Sequence, residues 1–418
     1  MLHFLHRFPR ALALLVTIFA FAPRPTAVAQ WPQWGGPNRD FSIESADLAD
    51  KWPDNGPKKV WERPLGEAYS TIIVDDGVLY TMAHADDMEK VVALSAKTGE
   101  TIWEHAYQTK PFDMWDPRFG PGARATPLVH GDKVFAIGVG AMLHALDKKT
   151  GKVIWKQDLK NDHGASPLFW GYSSSPLVYK DTLIVPVGAS GGAVMAFDLE
   201  SGKPKWRSGD STNGYAAPIV INVGGEDELV SFMGKEVLAL DPVNGEVLWR
   251  YPHATAYDVN ASTPIWIPNQ SILFISSDYG AGARGLKITK DGHKTKVDEL
   301  WHESKMGIHF GSAVRIGDYV YGSIGNSTCL LAAINVTNGE IAWRERSDLG
   351  KASLLLAGDK IIIIDEDGQL ALASVSPKGI DIKSQFQLFD ARSWTAPTLA
   401  GNTLYIRDLK RIVALDLG

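Results

Sequence analysis

The sequence predicts an all-β chain, an eight-bladed β-propeller of four-stranded blades closed by the N-terminal strand completing the last blade, and three observations lead there. A short unit recurs: Ala-Leu-Asp-Lys-Lys-Thr-Gly-Lys-Val-Ile-Trp at 145–155 and Ala-Leu-Asp-Pro-Val-Asn-Gly-Glu-Val-Leu-Trp at 239–249, with the same ten-residue step from Ala93 to Trp103, Ala196 to Trp206 and Ala333 to Trp343. The tryptophans that end the units stand at 61, 103, 155, 206, 249, 301 and 343, and Phe386 continues the series as the eighth. Finally, the first of these, in Lys59-Val60-Trp61-Glu62, has no inner strands before it, whereas the last unit stops at Ala414-Leu415-Asp416 without an outer strand. Each end supplies what the other lacks, and such closure hides sheet edges.

Each unit opens on an apolar stretch such as Ala125-Thr126-Pro127-Leu128-Val129, turns, runs through a second β-rich segment (Lys133 to Ile137), and reaches the Ala-Leu-Asp strand. The glycine after Thr, Ser or Asn (Gly99, Gly151, Gly202, Gly245, Gly339) supplies the positive φ of a tight hairpin, and the Asp before it, where present, can bond the turn amides. The tryptophan then falls on the outermost strand as a wedge between blades. Unit five is degenerate, with Gly285-Leu286-Lys287 in place of Ala-Leu-Asp and a longer hairpin from Ile288 to Glu299. No Gly-His and Trp-Asp pairs recur, which excludes the WD type of blade.

His3, Arg7 and Arg10 precede an apolar run from Ala11 to Ala22 and an Ala27-Val28-Ala29 cleavage pattern, so residues 1–29 read as a signal peptide and 30–418 as a single propeller domain. The run is short of the roughly 20 residues that span a bilayer. The expected location is therefore periplasmic or secreted, with no membrane span after cleavage and no lipid-anchor cysteine in the leader. Cys329 is the sole cysteine, placed by its Ser-Thr-Cys-Leu-Leu context in a strand, so packing rather than a disulfide must hold the fold. The net charge of −6, with 42 basic residues scattered along the chain, argues against nucleic acid as a partner.

The Ala-Leu-Asp-x-x-Thr-Gly-x-x-x-Trp unit, together with Ser/Thr-Pro at strand heads (Thr126-Pro127, Ser175-Pro176, Thr263-Pro264), resembles the pyrroloquinoline-quinone-like repeat superfamily over nearly all of the chain after the leader. The resemblance implies the fold, and it points to two branches. In the quinoprotein alcohol and sugar dehydrogenases the propeller holds the quinone and a calcium ion over its axis; many alcohol-oxidising members add a disulfide between adjacent cysteines, which this chain cannot make. The outer-membrane assembly lipoprotein propellers bind partner proteins and carry no quinone. A third set, soluble exported propellers, shares the Trp31-Pro32-Gln33-Trp34-Gly35-Gly36-Pro37-Asn38 start.

Innermost propeller strands line the axis, so residues just upstream of the Ser/Thr-Pro position are expected at one channel mouth: Tyr69, Arg124, Tyr172, Tyr215, Asn260, His309, Lys351 and Trp394. Cations with aromatics suit an anionic or ring-shaped ligand, a quinone with three carboxylates or the acidic side chains of a partner protein. Longer connections at 107–123 and 161–171, carrying Phe112, Trp115, Phe119, Phe169 and Trp170, are expected at the same mouth. Asp258 and His309 are the weak candidates for a catalytic base, and no metal-ligand or nucleophile motif is present in the sequence. The sequence thus favours a binding or scaffold propeller with no catalytic step of its own. The alternative is a dehydrogenase that uses pyrroloquinoline quinone with calcium, and a hydrolase or lyase comes third.

Overall fold

The computed structural model describes residue 1 and residues 30–44, 47–109, 119–166, 168–326 and 330–418. The expected signal peptide after residue 1, Phe112, Trp115 and Cys329 lie outside the described residues. Eight antiparallel sheets follow in chain order, as expected, from blade 1 (Ile73–Asp75, Val78–Ala85, Met88–Ser95, Thr101–Tyr107) to blade 7 (Ser353–Ala357, Lys360–Ile364, Gln369–Ser376, Gly379–Gln387). Blade 8 takes Thr398–Ala400, Thr403–Arg407 and Arg411–Asp416 from the C-terminus, and Lys58–Pro64 completes it by pairing antiparallel with Arg411–Asp416. No helix among the described residues is long and apolar enough to cross a membrane.

The repeat motif works across blade boundaries. Trp61, Trp103, Trp155 and Trp301 each donate the indole N–H to a turn carbonyl of the following blade, Ala96, Lys148, Leu199 and Val336 respectively, at 2.8–3.0 Å. The ring lies on that turn's glycine: a Cβ on Gly151 would stand 2.4 Å from Trp103, at a φ of +69°. The glycine is therefore required twice, for its dihedral and for the indole it carries. Phe386 has no indole to donate, and two of the tryptophan junctions depart from the rule. Pro242 stands at the acceptor position of unit four, and the Trp206 indole N–H is buried without an acceptor. Degenerate unit five lacks the short turn, and Trp249 donates instead to the fully buried Glu228 at 2.7 Å, whose other oxygen pairs with Lys290 of the long hairpin at 2.8 Å.

Blade 7 differs from the expected four strands because the N-terminal segment adds a fifth, Ser42–Ile43, parallel to Ser353–Ala357. That segment crosses one end of the channel as a strap. Trp31 exchanges backbone bonds with Val74 of blade 1, Pro32 accepts from Val129 of blade 2, and Arg39 reaches the Pro176 carbonyl of blade 3. The Trp34 indole then donates to Thr263 before blade 5 at 2.9 Å, and Phe41 accepts from Leu356 of blade 7. Trp31 is completely buried, and the bend that lets the strap turn rests on Gly35 and Gly36, with φ of +73° and +77°. At Gly35 a Cβ would stand 2.7 Å from the Arg39 backbone.

Candidate functional site

The opposite end of the channel is an open cup of about 510 Å³ whose wall is built from the loops that lead into the inner strands and whose lining includes Trp34 of the strap. Six residues expected from sequence converge there: Tyr69, Arg124, Tyr215, His309, Lys351 and Trp394. Phe119 and Trp170 of the two long connections join them, while Phe169 is exposed and meets Trp170 at 4.9 Å.

Two of the expected lining residues turn into the wall instead. Tyr172 is fully buried and donates its hydroxyl to the Pro186 carbonyl at 2.5 Å. Asn260 is fully buried too; its amide donates to the carbonyls of Met233 and His253, at 2.7 and 2.9 Å, and its oxygen accepts from Ser277. Such side chains are saturated within the wall and have nothing to offer a ligand. Asp258 lies away from the cup lining, in a left-handed turn with φ of 58°, 3.3 Å from Lys235.

The cup's charges are held by neighbours. Arg124 donates to the carbonyls of Phe119 and Gly120 at 3.2 and 2.9 Å and lies over the Tyr69 ring at 5.4 Å, with burial pulling its pKa down to about 10. Lys351, at a φ of 45°, pairs with Glu366 at 3.1 Å, and the Trp394 indole donates to the same carboxylate at 3.1 Å. Arg392 stacks on Trp394 at 4.5 Å, and the Tyr69 and Phe310 rings close in at 5.0 Å. Trp394 is thus the hub of the wall more than a free stacking platform. Burial, with Lys351 adding to it, holds the His309 imidazole down to about 4, so it is neutral at physiological pH. Its Nδ1 is buried without a partner, and the ring meets Tyr279 edge-on at 5.0 Å.

Sequence reasoning did not find Trp34, Glu366, Arg392, Tyr279 or Phe310 as lining residues. Arg392 and Phe310 lie next to or near expected positions and needed only a wider window on the same rule. Trp34 carried a signal, two tryptophans and two glycines ahead of the first unit, but nothing local says that such a segment crosses a channel.

The lining suits a ring-bearing anion: three cations against one carboxylate, among aromatics. The donor set does not suit a calcium cage. Among the described residues no three His, Cys, Asp or Glu side chains gather where an ion could sit, and Glu366 is engaged by Lys351 and Trp394.

Comparison with known proteins agrees with the repeat. The family described as outer membrane protein assembly factor BamB matches residues 87–284. The BamB of Burkholderia pseudomallei is 27% identical, over 70% of this chain and 84% of its own. A quinoprotein ethanol dehydrogenase of Pseudomonas aeruginosa is 34% identical over 33% of this chain, and the chain spans only 22% of that relative's length. Among solved structures, the quinohemoprotein alcohol dehydrogenase of Comamonas testosteroni superposes with a TM-score of 0.65 at 14% identity, covering 93% of this chain and 81% of that one, a likeness of fold. The chain is a β-propeller, similar over part of its length both to assembly factors and to quinone-dependent dehydrogenases.

Proposed function

We propose that this chain is an exported binding propeller that takes a ring-bearing anion into its cup and performs no catalytic step of its own. The observation that carries the reading is the cup itself, blind towards the strap and lined by Arg124, Lys351 and Arg392 among aromatic rings. The groups that would do acid–base work are committed elsewhere: His309 is neutral down to about 4, Glu366 is shared between Lys351 and Trp394, and Asp258 faces Lys235. The similarity to BamB over most of the chain supports a role in binding, and the leader supports export.

A dehydrogenase is the second reading, favoured by the quinoprotein relatives and by the cations that would meet a quinone's carboxylates. The quinone fits the cup's chemistry, but among the described residues no three His, Cys, Asp or Glu side chains gather to hold its calcium. Calorimetric titration with pyrroloquinoline quinone, with and without calcium, distinguishes the readings when run beside dye reduction with ethanol and glucose. Heat that is lost in Arg124→Ala and Lys351→Ala, without dye reduction, is the expected result. Dye reduction overturns the non-catalytic reading. Absence of heat at high micromolar quinone overturns small-ligand binding and leaves the acidic side chains of a partner protein as the cup's occupant.

A further inference from the structure

The strap that closes the channel also buries a charge beside the cup's lining. Arg39 sits at a left-handed φ of 59° in the bend set by Gly35 and Gly36, and its side chain is 8% exposed. Only Nη1 finds acceptors, the Gln33 side chain at 3.0 Å and the Pro176 carbonyl at 3.1 Å, while Nε and Nη2 are buried without any. Both acceptors adjoin the cup: Gln33 precedes Trp34, and Pro176 follows Ser175, which also lines it. None of the ion pairs among the described residues includes Arg39, and burial, with no acid to offset it, pulls its guanidinium down to about 9. That value leaves it charged at neutral pH. A guanidinium buried without a counter-charge costs several kcal/mol, and a left-handed backbone adds to it, so the fold maintains Arg39 at a loss.

We infer that Arg39 is a selectivity determinant of the cup: a cation fixed beneath its lining that favours anions over neutral molecules of the same shape without touching them. The inference rests on the ligand reading proposed above. In a low-dielectric interior an unpaired charge acts over several ångströms and is little screened by salt. It adds to Arg124, Lys351 and Arg392, which stand in the lining itself. Shape is set by the aromatic wall, and the strap adds a charge to those of the lining.

The test uses an isosteric pair of probes, naphthalene-2-carboxylate and naphthalene-2-carboxamide, titrated calorimetrically into the full exported chain and its Arg39→Gln and Arg39→Lys variants. Arg39→Gln is expected to weaken the carboxylate on the order of tenfold and leave the amide unchanged, with Arg39→Lys close to the unaltered protein. Urea unfolding of Arg39→Gln, expected at or above the unaltered midpoint, shows that the strap remains folded. Equal losses for both probes, or no loss for either, overturn the inference while leaving the cup a binding site. If the carboxylate does not bind the unaltered protein at all, the ligand reading falls and this one falls with it.

Discussion

The two ends of the channel are finished in opposite ways. At the strap end the closure is backbone: Trp31 pairs with Val74, Pro32 with Val129 and Phe41 with Leu356, so one covalent segment ties blades 1, 2 and 7 together. At the cup end the closure is side chain, with Tyr69, Phe310, Phe119 and Arg392 leaning on Trp394. Backbone pairing demands one register and tolerates few substitutions, whereas a ring of side chains from separate loops can be altered one member at a time. The strap's backbone pairing and buried Trp31 should therefore carry stability, and the cup's side chains the direct contacts to a ligand.

The largest effect expected from that contrast is on Trp31, whose indole is completely buried. Trp31→Ala should cost about 3–5 kcal/mol in urea unfolding, against about 1–2 kcal/mol for the part-exposed Trp394→Ala. Equal costs would break the comparison. Next comes acid stability at the cup. Because His309 is held down to about 4, below the value of about 6.5 that it has when unfolded, the unfolded chain takes up the proton first. Its contribution is intact above about pH 6.5 and is lost as the pH falls towards 4. His309→Gln should lessen that loss by roughly 2–3 kcal/mol in unfolding curves taken across the window. Glu89, buried and pushed up to about 7, works in the opposite direction, but it is common to both proteins and cancels in the difference.

A smaller effect is expected at the strap's bend. Gly36→Ala puts a Cβ 3.0 Å from the Trp31 ring at a φ of +77°, and about 1–2 kcal/mol should be lost. The smallest change in stability belongs to Lys351→Met at the cup, under about 1 kcal/mol, since its pair with Glu366 is part-exposed at 22% and 24%. If that variant instead unfolds as readily as Gly36→Ala, the cup end is a structural closure as well.

Particular residues show why the sequence was legible in some places and silent in others. The wedge tryptophans could be read because indole, turn glycine and Ala-Leu-Asp strand lie within a few residues of one another in every unit. Tyr172 and Asn260 obey the same upstream rule as Tyr69 and Tyr215, yet point into the wall, where the carbonyls of Pro186 and Met233 claim them. One residue's shift along an irregular loop reverses a side chain's direction, and no periodicity records it. The degenerate fifth unit was visible as a missing motif, but that Glu228 takes over as acceptor for Trp249 depends on a carboxylate two strands away in the sheet.

By itself the sequence determined the number of blades, their four-strand pattern and the pairing of the two termini, because turn chemistry and strand alternation act over neighbouring residues and are repeated eight times. Only the tertiary structure decided that the segment before the first repeat unit stops the channel, and which of eight loops' side chains share a cup. Those outcomes rest on contacts such as Trp34 with Thr263, 229 residues apart, which form only when the ring of blades has closed.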